Sequence, residues 1–134
     1  MRLPHDTLVA VADGAKLHLL RSSGTDEPPQ LKAAGQPHVA SSNHTAGSRH
    51  KSSAANPDEG RDAADMHAAA VAELLNKAAQ SNEFAHAVVI APAKTLGELR
   101  KHYHKTFADK LLGEIGKDMT GQESTVIAEA IHRA

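Results

Sequence analysis

Apolar and polar positions change period several times along the chain, and each change marks an element. Residues 7–21, TLVAVADGAKLHLLR, hold two β-rich runs around Asp13-Gly14. An Asp-Gly pair between such runs predicts a tight hairpin, because both residues tolerate positive φ. After Pro28-Pro29, residues 30–34 read as a shorter third strand. Residues 35–62 are then rich in Ser, Gly, Ala and His without apolar periodicity, which is the composition of a long loop.

Helical spacing follows. Asp62 or Asp65 is a candidate cap, and His67, Val71, Leu74, Leu75 and Ala78 fall on one face of a helix that Ser81-Asn82 ends. FAHAVVIAP, a continuous apolar and β-branched run closed by Pro92, predicts a central strand covered on both faces. Thr95 and Glu98 have the spacing of a capping box, so a helix is expected from Leu96, with Leu96, Leu99, Tyr103 and Phe107 inward. Residues 111–115 read as a further strand. Thr120 and Glu123 repeat the capping pattern before a last helix that turns Val126, Ile127, Ala130 and Ile131 inward.

The expected order is β-β-β-α-β-α-β-α. Antiparallel strands followed by α/β units predict an α/β fold, one domain over residues 1–134 with a mixed sheet and a long loop at about 35–62. This is the element order of ribonuclease-H-like folds, and topology alone assigns no function.

Composition narrows the chemistry. A chain of 134 residues can build one sizeable core. Its formal charge of -1 provides no global field toward nucleic acid or membrane, so any such binding must come from a local patch. With two Phe, one Tyr and no Trp, a base-stacking platform is not expected. The absence of cysteine removes disulfides, thiolate catalysis and thiolate metal sites. No apolar run approaches a membrane span, and the early Asp13 makes residues 1–14 a strand rather than a signal peptide. A cytoplasmic protein without membrane association is the expectation.

Catalytic constellations are sparse. A two-metal nuclease on this topology needs clustered carboxylates, yet Asp13 falls in the hairpin turn and Lys94 follows the central strand where an acid is wanted. The ten histidines show no metal spacing: His38, His44 and His50 recur every six residues, and His102 and His104 point to different sides of a helix. His67 reads as a residue at the edge of the core. No nucleophile elbow, P-loop or dinucleotide fingerprint is present. Neither a metal nor a cofactor is expected.

The segment APAKTLGELRKHYHK, residues 91–105, holds the strongest candidate site. Arg100 with His104, and Lys101 with Lys105, are i,i+4 pairs, which predicts a basic ridge opposite the apolar side. Lys94 and Thr95 sit where free backbone N–H groups favour an anion, beyond the carboxyl end of a strand. The ordinary reading of such a ridge is a solvated cationic face. The functional one is a phosphate or carboxylate contact.

Several stretches, LPHDTLVAVADGAKLHLLR, SRHKSSAANPDE, HAAAVAELLNKAA, VVIAPAKTLGELRKHYHK and EIGKDMTG, together resemble the bacterial host-attachment protein family. These are bacterial relatives of archaeo-eukaryotic release factors. The resemblance spans nearly the whole chain in order. It implies a domain like the middle domain of release factors, a named role in attachment to host cells and a link to translation. It also implies that Arg49, His50, Ser52, Ser53, Asn56 and Pro57 form an ordered turn rather than filler. Release factors act through a Gly-Gly-Gln loop; this chain has only Gly35-Gln36 and Gly121-Gln122, which sets peptidyl-tRNA hydrolysis aside.

The resulting expectation is a non-enzymatic binding domain associated with RNA or the ribosome. Lys94, Thr95, Arg100, Lys101, His104 and Lys105 would contact the anion, with the 49–57 loop nearby. A small hydrolase using Asp13, His50 and the start of the Thr95 helix is the first alternative. A homodimer or other protein-interaction module, joined through a sheet edge or helix, is the second.

Overall fold

A computed structural model describes residues 1–24, 27–37 and 59–134. Strands β1 (Leu8–Ala12), β2 (Leu17–Ser23) and β3 (Gln30–Gly35) lead into helix α1 (Glu59–Gln80). Strand β4 (Ala87–Ala91), helices α2 (Ala93–Arg100) and α3 (Lys105–Ala108), strand β5 (Leu111–Gly116) and helix α4 (Ser124–Arg133) complete the chain. The sheet has five strands in the order β3-β2-β1-β4-β5. β1 pairs antiparallel with β2, and β2 with β3; β1, β4 and β5 are mutually parallel. The α/β class, the mixed sheet and the strand positions agree with the sequence pattern.

Burial explains the strands. Every residue of β1 and β4 is buried, because LVAVA and AVVIA sit at the centre of the sheet with cover on both faces. On one face Ala10, Ala12, Val89 and Ala91 meet Val71 and Leu75 of α1, Leu96 and Leu99 of α2 and Phe107 of α3. On the other, Val9, Val11, Val88 and Ile90 meet Leu3, Met119 and Ile127, Ala130 and Ile131 of α4. Fully burying each large aliphatic side chain contributes about 1.5–3 kcal/mol, so the two layers account for the choice of fold.

Three helix starts and one inward position differ from the sequence pattern. α1 is already helical from Glu59, so Asp62 and Asp65 lie inside it rather than at its start. α2 starts at Ala93 with Pro92 as its N-cap, where φ -54 and ψ 149 turn the chain directly out of β4. Thr95 therefore lies in the first turn, and Glu98 pairs with Lys101 instead of reaching back to it. Thr120 does not cap α4; Glu123 takes that position, and the Thr120 hydroxyl goes to Asp13. Val126 is 44% exposed, and Ala128 takes the inward place expected for it.

The largest difference concerns the expected helix over residues 96–107. It is two short helices separated by a turn. Arg100 with His104, and Lys101 with Lys105, are thus no longer neighbours on one helix, and the continuous basic ridge does not form.

Candidate anion-binding site

The parallel strands β1, β4 and β5 end together at Ala12, Ala91 and Gly116, so Asp13, the start of α2 and residues 117–120 share one edge of the sheet. Asp13 is fully engaged there. Its Oδ1 accepts the backbone N–H of Ala15 at 2.7 Å and of Lys16 at 2.6 Å, and its Oδ2 accepts the Thr120 hydroxyl at 2.8 Å. Burial alone would raise its pKa, but the Ala15 N–H, the Thr120 hydroxyl and the N–H and charge of Lys16 outweigh it and hold the carboxyl below 3.8. A carboxylate so committed closes the hairpin and ties it to the β5–α4 turn; it is poorly placed to act as a base.

Beside it, α2 opens with no side-chain cap and no acid in its first turn. The first intrahelical bond runs from the Leu96 N–H to the Pro92 carbonyl at 2.9 Å, which leaves the N–H groups of Ala93, Lys94 and Thr95 directed outward. Lys94 is exposed and makes no hydrogen bond or ion pair with another described residue. Thr95 is half-buried on the same turn.

Arg100, Lys101 and Lys105 are all exposed, and each is matched with an acid. Arg100 holds Glu114 Oε1 through Nε and Nη2, both at 2.8 Å. Lys101 meets Glu98 at 2.8 Å, and that hydrogen bond, followed by the Glu98 charge, raises the lysine pKa. Lys105 meets Asp109 at 3.1 Å. Of these pairs only Lys105–Asp109 is exposed at both ends; Glu114 and Glu98 are partly buried beside their exposed cations. Tyr103 donates weakly to Glu114 Oε2 at 3.5 Å, and its ring packs 4.8 Å from that of Phe107. Burial, then the Glu114 charge, push the Tyr103 phenol well above its ordinary value.

His104 caps α3 and is exposed, as is His102. Between them the side chain of Asn76, from α1, donates to the His102 carbonyl at 2.9 Å and accepts the His104 N–H at 2.9 Å. Sequence reasoning passed over Asn76, although a polar residue beside Leu75 on the apolar side of α1 is the signal that could have marked it. It also passed over Glu114, hidden in a short apolar strand.

Other expected residues fall as follows. His67 is buried, with Nε2 3.3 Å from the Lys16 carbonyl, at the core edge as its spacing suggested. Arg49, His50, Ser52, Ser53, Asn56 and Pro57 lie outside the described residues, so Asp13 and Lys94 can be placed but not the third member of the hydrolase set. Among the described residues no group of three or more His, Asp or Glu is arranged to hold a metal.

The profile of bacterial archaeo-eukaryotic release factor family 12 matches residues 6–131. The chain belongs to that family. The match runs from just before β1 into α4 and makes no reference to host attachment. No curated protein matches the chain significantly. In this family 12 chain Gly35-Gln36 closes β3, and Gly121-Gln122 lies in the turn before α4, with neither extended to Gly-Gly-Gln. No helix among the described residues is long and apolar enough to cross a membrane.

Proposed function

We propose that the chain is a cytoplasmic, non-enzymatic RNA-binding domain that acts in translation, docking on phosphates of ribosomal RNA. The observation that carries this reading is the uncapped, acid-free start of α2 with exposed Lys94, continued by exposed Arg100, Lys101, His104 and Lys105. Membership of a release-factor-related family supplies the link to translation. Phosphates contacted by these side chains and by the N–H groups of Lys94 and Thr95 would fix the protein's position without reading sequence.

The test is co-sedimentation of the tagged protein with ribosomes from lysate at low and moderate salt, beside Arg100→Ala/Lys101→Ala. Salt-sensitive association that the variant loses is expected. Absence from ribosomal fractions at both salts would sink the reading.

The hydrolase alternative is disfavoured by the engagement of Asp13 with Thr120, Ala15 and Lys16. The homodimer alternative has little to rest on: the exposed large aliphatic side chains among the described residues are Leu112 and Val126, each somewhat under half exposed. Single exposed aliphatic residues are ordinary on a soluble surface.

A further inference from the structure

The break between α2 and α3 is not imposed by proline or glycine. From Glu98 to Leu112 the sequence contains neither proline nor glycine, and Leu96, Leu99, Tyr103 and Phe107 keep helical spacing throughout. In one continuous helix the His104 N–H would bond the Arg100 carbonyl, and the His102 carbonyl would accept from Thr106. Those two groups are the ones Asn76 takes: its Oδ1 accepts the His104 N–H and its Nδ2 donates to the His102 carbonyl, both at 2.9 Å.

Asn76 is 3% exposed, so its amide must be satisfied within the protein, and a buried amide left without partners is costly. Opening the turn at 101–104 satisfies it. Tyr103, held between Phe107 and Glu114, fixes the turn from the other side.

We infer that Asn76 is the positioning residue of the basic corner: by splitting residues 93–108 into two helices, it sets where His104 and Lys105 stand relative to Arg100 and Lys101. This rests on the RNA-binding reading for its consequence but not for its structural part. The geometry that binds phosphate is then a corner with cations on both arms, and a straight ridge would present the same charges in a different arrangement.

The experiment uses the full chain and two readouts. Backbone NMR shifts of residues 101–105 report the turn, and binding of a mixed-sequence RNA oligonucleotide at several salt concentrations reports the surface. In Asn76→Ala the shifts of His102 and Tyr103 are expected to move toward helical values. The slope of log affinity against log salt should become shallower by about one for each phosphate the protein no longer neutralises. Asn76→Ala/His104→Pro is the rescue and the safeguard against misfolding: proline fits the extended N-cap at φ -85, has no N–H to leave unpaired and forbids a continuous helix. It should restore the shifts at 102–103 and the affinity of His104→Pro alone.

Unchanged shifts in Asn76→Ala would overturn the positioning role whether or not RNA binds. Changed shifts with unchanged RNA affinity and salt slope would overturn the link between the corner and binding. Failure of the wild-type chain to bind RNA would overturn that link as well, together with the functional reading, while the shifts still decide whether Asn76 sets the turn.

Discussion

The hydroxyl of Thr120 donates to the carboxylate of Asp13 at 2.8 Å across 107 residues of sequence, joining the β1–β2 hairpin to the turn between β5 and α4. Removing the donor while keeping the shape, as in Thr120→Val, should cost about 0.5–1.5 kcal/mol, read from the midpoint of chemical denaturation. A variant as stable as the wild type would mean that the hydrogen bond is not formed in solution.

The same carboxylate gives a pH dependence with a definite sign. Its folded pKa lies below 3.8, so the stability it adds is fully present above that value and is lost as pH falls through the folded pKa. The difference in denaturation midpoint between wild type and Asp13→Asn should be constant from neutral pH down to about 5 and shrink below about 4. A difference that grows on acidification would contradict the direction of the shift.

Tyr103 is the single tyrosine in a chain without tryptophan, so its ionisation can be followed directly by phenolate absorbance. Because burial and Glu114 raise its pKa above 10.0, the folded protein should show little phenolate at pH 10. The unfolded chain ionises there first, so this group's contribution to stability is present below pH 10 and declines as pH rises further. Glu114→Gln removes the second-largest cause and should bring the absorbance transition to lower pH.

Phe107, completely buried against Phe84 and Tyr103, tests how far the four-residue α3 belongs to the core. Phe107→Ala is expected to cost about 3–5 kcal/mol in a denaturant titration. Val126→Ala, at an exposed position, should stay within about 0.5 kcal/mol of wild type. Similar costs for the two would be at odds with the packing.

The contrast between those two residues shows what could be read in the sequence. β1 and β4 were legible because a strand covered on both faces must be apolar throughout. The β1–β2 hairpin was legible from its Asp-Gly pair, but not its turn: four residues, 13–16, join the strands, neither Asp13 nor Gly14 takes a positive φ, and Asp13 Oδ1 closes the turn by accepting the Ala15 and Lys16 N–H groups. Val126 was misplaced because the 3.6-residue period allows a neighbour such as Ala128 to take the inward position. Thr95 and Thr120 had cap spacing, but Pro92 set one helix start and Asp13 drew the second hydroxyl away. The corner at 101–104 was hidden for a stronger reason: its cause lies in Asn76, about 26 residues earlier in sequence, and no window along 93–108 contains it. The candidate cations could be named from the sequence, but their geometry could not.

Their pairing supplies the last prediction. Lys101 and Lys105 are held by Glu98 and Asp109, acids that compete with any incoming phosphate for the same ammonium groups. If the corner binds RNA, neutralising the competitors in Glu98→Gln/Asp109→Asn should strengthen binding and steepen its salt dependence, because two more cations face the phosphates without an internal partner. Asp109 is exposed and Glu98 partly so, and each substitution keeps the shape of the side chain, so the fold should stay intact. Measured by fluorescence anisotropy with a labelled RNA oligonucleotide, an affinity gain that disappears when Lys101→Ala/Lys105→Ala is added would place the phosphates at those two side chains. An affinity indifferent to both acids would move the binding surface away from α2 and α3.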